Sequence, residues 1–233
     1  MHRRSRHLIG KALGANLVLD SRYLTESDGT LLQTWPDRSG NGKNATQATS
    51  TKQPTVKTGA NGINGNPALS FDGTADAMAV SNLTAAPHQY CLAVVKLTTA
   101  SMICELGLNS NSVNGFAFYG QQGNNVIIKN TGGSVFYPGT NNWIGTDSAV
   151  ISYSYGTIKE LYKNLSPQPK GTVFDNFISG TFTETLYIMS RGQSNLYSSG
   201  LLGMMIIQPM TATFPYMKRV HHCAAFSFKI ACS

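Results

Sequence analysis

Two patterns of apolar residues run along this chain. In Ile151-Ser-Tyr153-Ser-Tyr155 and in Phe226-Ser-Phe228-Lys-Ile230, apolar and polar positions alternate, as in a strand with one buried face. In Tyr90–Leu97 and Leu201–Ile207 the apolar residues run together. The pattern predicts strands over Ala15–Asp20, Leu31–Trp35, Ala68–Phe71, Ala77–Val80, Tyr90–Leu97 and Gly115–Tyr119. It predicts further strands over Val126–Lys129, Val150–Tyr155, Ile158–Tyr162, Thr185–Met189, Leu201–Ile207 and Ala225–Ile230. Between them stand turn formers: Ser39-Gly40-Asn41-Gly42, Asn61-Gly62, Asn64-Gly65, Asp72-Gly73, Thr131-Gly132-Gly133 and Pro138-Gly139. Gly, Asn and Asp tolerate the positive φ of tight reversals. Short strands punctuated this way define an all-β sandwich or barrel. One helix is expected over Phe214–Cys223. Thr213 caps it, Pro215 stands in its first turn, and Lys218, Arg219, His221 and His222 lie toward its negative end. No linker or repeat divides the chain, so residues 15–233 are read as one domain behind a basic arm, residues 1–14.

Composition sharpens this. Of 233 residues 41% are hydrophobic, enough for a core, which excludes general disorder. Only 12% are charged and Gly numbers 23, which excludes a coiled coil. Arg3, Arg4, Arg6 and Lys11 precede the first acid, Asp20; without those four, the 18 bases become 14 against 11 acids. The body is therefore nearly neutral and the arm carries most of the excess. Such an arm can dock on an acidic protein surface. As a nucleic-acid contact it is small and salt-sensitive, and no basic stripe interleaved with aromatics follows it. Nucleic acid is not the expected partner. The apolar stretch from Leu8 is broken by Lys11, Asn16 and Asp20, so it lacks the unbroken run of roughly 7–15 residues of an export signal. No window approaches the ~18 apolar residues of a membrane span, and no membrane association is expected. Cys91, Cys104, Cys223 and Cys232 form no CxxC pair and no zinc-finger spacing with His. They are expected as buried free thiols.

The segment Trp35-Pro-Asp37-Arg-Ser39-Gly40-Asn41-Gly42-Lys-Asn44-Ala45-Thr46 carries a resemblance. Leu17-Val-Leu-Asp20 precedes it and Asn64-Gly65-Asn-Pro67-Ala-Leu-Ser-Phe71-Asp72-Gly73 follows. Together they resemble the opening of a concanavalin A-like lectin/glucanase domain of the laminin-G-like jelly-roll type, as found in bacteriophage virion proteins. Ile158-Lys-Glu-Leu161-Tyr162-Lys-Asn164 is similar to the family's L-Y-x-N-G strand, with Leu165 in place of the glycine. Leu201–Pro209 and the helix after it resemble the family's penultimate strand and terminal helix. The resemblance implies a jelly-roll sandwich of two antiparallel sheets with one short C-terminal helix. It does not fix a function, because the fold hosts lectins, glycanases, adhesion modules and virion proteins. Trp35 is expected as a core anchor. Asp37 and Ser39 are expected to accept backbone N–H bonds within their loop.

The candidate chemistry is sparse. A glycanase needs two carboxylates across one cleft, and the E-x-D-x-x-E strand of retaining members is absent. The glutamates Glu26, Glu105, Glu160 and Glu184 are dispersed, and Glu26-Ser-Asp28-Gly29 reads as a solvated turn. There is no G-x-S-x-G elbow and no phosphate loop. Adjacent His221 and His222 point about 100° apart on a helix, so a shared metal is not expected; they are read as surface or helix-end residues. Asp37, Asp72, Asp76 and Asp147 are scattered, short of the six to eight oxygens that calcium favours, so no cofactor is assigned. Sugar binding needs a stacking aromatic beside Asn, Asp or Gln. Tyr137 with Asn141-Asn142-Trp143 is the first candidate, and Arg191-Gly192-Gln193-Ser194-Asn195-Leu-Tyr197 the second. The sequence reading is therefore a non-enzymatic virion component of a bacteriophage, in a decoration, fibre or tail position. It is made in the host cytoplasm and forms homo-oligomers. It contacts other virion proteins through Arg3, Arg4, Arg6 and Lys11 and binds host glycans weakly. A lectin-like module at a cell surface is the alternative, and a glycan hydrolase the third.

Overall fold

A computed structural model describes residues 14–85, 89–99, 101–107, 116–122, 125–130, 133–138, 147–155, 160–168, 173–174, 181–209 and 214–231. In chain order the strands are β1 (Leu17–Asp20), β2 (Thr34–Trp35), β3 (Ala45–Thr46), β4 (Thr55–Lys57), β5 (Ala68–Asp72) and β6 (Met78–Ala85). Then come β7 (Gln89–Thr99), β8 (Met102–Leu106), β9 (Phe116–Gln122), β10 (Asn125–Asn130), β11 (Gly133–Pro138) and β12 (Ala149–Tyr155). The last are β13 (Glu160–Lys163), β14 (Ser166–Pro167), β15 (Val173–Phe174), β16 (Phe182–Ile188) and β17 (Ser199–Pro209), followed by helix α1 (Phe214–Ser227). All the pairings are antiparallel. One sheet runs β14-β13-β12-β7-β17-β5-β4, with β1 also on β17; the other runs β15-β11-β10-β9-β8-β16-β6-β3-β2. The protein is a β-sandwich of the jelly-roll kind with one C-terminal helix. Among the described residues no helix is long and apolar enough to cross a membrane.

The two sheets enclose the main core. Leu17, Leu19, Cys91, Ala93, Val95, Met205 and Ile207 pack from one sheet against Val80, Ile103, Cys104, Phe118, Leu186 and Ile188 of the other. Trp35 is fully buried here, the anchor its position implied. Cys91 and Cys104 are buried thiols with Sγ atoms 4.0 Å apart, whereas Cys223 is exposed. That exposure departs from the buried site expected for it. Cys232 lies outside the described residues.

The outer face of the first sheet is not left to solvent. Val18, Leu92, Val94, Val150, Met204 and Ile206 form a second core with Val220, Ala224, Ala225, Phe228 and Ile230 at the chain end. β7 and β17 are therefore buried on both faces, which is why their sequences are apolar runs rather than alternations.

The expected strand Ala225–Ile230 does not form; α1 runs through Ser227 instead. Ile230 N–H donates to Ala225 O (2.9 Å) and Lys229 N–H to Phe226 O (3.2 Å). With Lys229 at φ 53°, this is a Schellman stop, and its customary apolar contact joins Ile230 to Ala225. Helical geometry separates residues that alternation would align. Phe228 is fully buried while Phe226 is 74% exposed. Gly203 lets the Phe228 ring approach β17: a Cβ there would meet ring carbon Cε1 at 2.5 Å. Asn64 Nδ2 donates to the Phe228 (3.0 Å) and Lys229 (3.2 Å) carbonyls, fixing the end of the chain.

Smaller departures follow from turn chemistry. Leu31–Trp35 shrinks to β2 plus an isolated bridge of Leu31 to Thr55; of Ile158–Tyr162 the described part, from Glu160, lies in β13, which runs on to Lys163. The β13–β14 connection is a tight turn with Asn164 at φ 49° and Leu165 at φ 71°. Leu165 thus adopts a conformation that glycine takes freely.

Candidate functional site

The sugar-reading residues proposed from sequence fall into two groups. Asn141, Asn142 and Trp143 lie outside the described residues, as do Arg3, Arg4, Arg6 and Lys11. Tyr137 sits in β11, paired with Val126 of β10. Arg191 and Tyr197 belong to the β16–β17 connection, and both have internal work. Arg191 Nε donates to Glu105 Oε1 at 3.2 Å, and Glu105 is fully buried. A buried carboxylate needs such a partner. Tyr197 Oη donates to Gln193 O at 2.6 Å, closing a loop in which Gly192, Gln193 and Leu196 have positive φ. Ser198 fastens its base to β8, donating to Met102 O (2.8 Å) and accepting Met102 N–H (2.9 Å). These bonds tie the loop to itself and to β8, and Arg191 acts in it as a countercharge.

His221 is the clearest correction. It is buried, not at the surface. Its Nδ1 lies 3.0 Å from Ser152 Oγ on β12, and its Nε2 accepts Leu165 N–H at 3.1 Å. Because Nε2 accepts, Nδ1 carries the proton and donates to Ser152. Burial pushes the imidazole down to about 4, with His222 adding to the shift. A Ser–His contact of this sense is no nucleophile–base pair: the nitrogen facing the hydroxyl holds a proton and has no lone pair to remove one. Tyr90, Ser154, Tyr162 and Lys218 complete the surroundings. The open space among them is about 10 Å³, room for about one water. Burial raises the Tyr90 phenol above its ordinary value, against the opposing effect of Ser152. His221 stood inside the expected helix, and its burial depends on Ser152 and Leu165, which are remote from it along the chain.

Of the four aspartates read as scattered, two meet. Asp72 accepts N–H bonds from Thr74 (2.8 Å), Ala75 (2.9 Å) and Asp76 (2.9 Å), while Asp76 Oδ2 accepts Asp72 N–H (3.1 Å). Burial, then the Asp72 charge, raises Asp76 to about 6. Asp72 stays low: its hydrogen bonds outweigh a larger individual cost of burial. Among the described residues no group of three or more His, Cys, Asp or Glu could hold a metal ion.

The Trp35–Thr46 segment builds the most deliberate loop. Asp37 accepts N–H bonds from Val18 (3.0 Å), Ser39 (2.8 Å) and Lys43 (3.0 Å), and the Ser39 hydroxyl (2.7 Å). Ser39 Oγ accepts Asn41 N–H at 3.2 Å. Gly40 (φ 96°) and Gly42 (φ 68°) flank Asn41, so the chain turns sharply on both sides of that amide.

These features belong to a jelly-roll sandwich with hydrogen-bonded, turn-rich loops. The sequence matches no known protein-family model and no curated protein sequence. Solved structures do share the fold. Domain 4 of a GH43 extracellular arabinanase from Geobacillus stearothermophilus, in complex with arabinotriose, aligns with a TM-score of 0.57 at 15% identity, covering 85% of this chain and 100% of that domain. An arabinofuranosidase complexed with arabinofuranosyl-alpha-1,2-xylobiose aligns at 0.58 and 12% identity, covering 92% of this chain and 59% of the other. Trypanosoma rangeli sialidase aligns at 0.55 and 12%, covering 88% and 32%. The chain thus spans a whole arabinanase domain but only part of the two larger enzymes.

Proposed function

We propose that this chain is a non-enzymatic β-sandwich module that binds carbohydrate. The observation that carries the reading is the likeness, over the full extent of the matched domain, to an arabinanase domain holding arabinotriose. The disposition of acids supports a non-catalytic role. Glu105 is bonded to Arg191 and Glu160 to the Tyr162 hydroxyl. Asp72 and Asp76 share a single turn, whereas a glycosidase needs two carboxylates facing across a cleft. A glycan array with the purified protein tests the reading, with Trp143→Ala as a control for the Asn141–Trp143 loop. Saturable binding supports it. Binding to no glycan overturns it, and release of reducing sugar from a polysaccharide makes the protein an enzyme.

The basic arm favours a second, compatible placement. Arg3, Arg4, Arg6 and Lys11 ahead of a near-neutral body suit attachment to acidic neighbours in a bacteriophage particle, where the module would decorate the surface as a homo-oligomer. Deleting residues 1–14 should then abolish incorporation into particles while leaving the domain folded. Unchanged incorporation refutes that attachment.

A further inference from the structure

We infer that the cleft beside Asn41 is a binding site for a neutral oligosaccharide. The inference rests on the carbohydrate-binding reading and gives it a location. An open cleft of about 270 Å³ lies where the chain enters β1, the β2–β3 loop and β6 come together, lined by Asn16, Asn41, Lys43, Leu83 and Thr84. Leu83, the apolar residue of that lining, is buried.

The polar groups are held in place and only partly used. Asn41 Nδ2 donates to both Ala15 O (2.9 Å) and Asn16 O (3.2 Å). Both amide hydrogens are thereby spent and the orientation of the amide is fixed, which leaves Oδ1 to accept. Asn16 Nδ2 donates to Thr84 O at 2.7 Å, again leaving Oδ1. Thr84 Oγ1 lies 2.9 Å from Thr183 Oγ1. The Lys43 backbone is tied to Asp37, but among the described residues its ammonium has no carboxylate partner. Two asparagines, each with an amide oxygen left to accept, and one lysine thus line one hollow. A sugar diol matches that set, because each hydroxyl can donate to an amide oxygen and accept from Lys43. An anion matches it poorly, since the two amide oxygens would face its charge with only one cation to offset them. Anchoring also removes much of the ordering cost of binding. Strand β1, the Asp37 bonds and the two positive-φ glycines supply that anchoring.

The test is calorimetric titration of the whole chain with arabinotriose, for the wild type, Asn41→Ala and Lys43→Met, each first checked by thermal melting. Lys43→Met keeps the stem and breaks no internal side-chain bond, so it reads binding even if Asn41→Ala loosens the loop. Each variant should weaken binding about tenfold, the size of one hydrogen bond to a charged or fixed partner, and added salt should leave wild-type binding unchanged. Wild-type affinity in both variants would overturn the location and leave the carbohydrate-binding reading standing. Failure of the wild type to bind arabinotriose would overturn this inference, while the array separately decides the broader reading. Loss of binding with salt would overturn the neutral ligand.

Discussion

Replacing Gly203 with alanine tests the docking of the chain end onto the first sheet. The added Cβ would lie 2.5 Å from Phe228 Cε1, 3.0 Å from Cζ and 3.3 Å from Ile63 Cδ1. The ring cannot retreat freely: Phe228 is fully buried, its carbonyl is held by Asn64, and the Arg22 guanidinium stands 5.3 Å from its centroid. Overpacking of this kind costs about 1–3 kcal/mol, and Phe228→Ala alone costs about 3–5 kcal/mol by leaving a cavity. The two changes share one contact, so they should not add. In Gly203→Ala/Phe228→Ala the new methyl occupies part of the vacated space, and the double variant should be at least about 1 kcal/mol more stable than the sum of the singles predicts. Urea unfolding of the four proteins measures this, and for a chain of this size each kcal/mol moves Tm by about 2–4 °C. Additive costs would mean that the ring does not pack on Gly203, and the helix-on-sheet layer would have to be redrawn.

Lys229→Gly should stabilise the protein by about 1 kcal/mol, because Lys229 is exposed and sits at φ 53°, where a Cβ costs about that much. A lower Tm would favour the strand that alternation suggests there. Two titrations should oppose each other in acid. His221, neutral when folded, contributes stability that is complete above its ordinary value of 6.5 and is lost as pH falls toward about 4, a change of about 3 kcal/mol. Asp76, raised from 3.8 to about 6, works in the other direction, favouring the fold below about pH 4 and losing that contribution as pH rises through about 6. Asp76→Asn should therefore stabilise the protein above about pH 6, leave it unchanged below about pH 4, and steepen the His221-driven fall between them. Urea midpoints against pH read this directly, and an unaltered profile would show that Asp76 titrates normally.

The sandwich was legible because its signals are local. Alternation marked β12, apolar runs marked β7 and β17, and Asn-Gly, Asp-Gly and Ser-Gly-Asn-Gly marked the reversals. What misled was also local. Phe226, Phe228 and Ile230 alternate like a strand, and Lys229 stands where a glycine would have signalled a helix stop. The true arrangement depends on Asn64, Ile63 and Gly203, far away in sequence. His221 was misplaced for the same reason, since its partners Ser152 and Leu165 become neighbours only when α1 packs on β12 and β7. Arg191 looked like a free reader of ligand because nothing in the sequence ties it to Glu105, a residue remote along the chain. Asn41 stood inside a recognised motif, but its cleft appears only when β1 and β6 are brought beside it.

The pairing of β1 with β17 sets the order of events during synthesis. Leu17 lies opposite Ile207 and Asp20 opposite Met204, so β1 cannot make this pairing until the chain has been made through Ile207. Nearer pairings such as β9–β10 have far less chain to close and are available sooner, whereas this part of the sheet closes only once β17 is present. A nascent product that stops shortly before Ser199 would therefore lack the strand that pairs with Leu17–Asp20, which makes it a natural client for a chaperone.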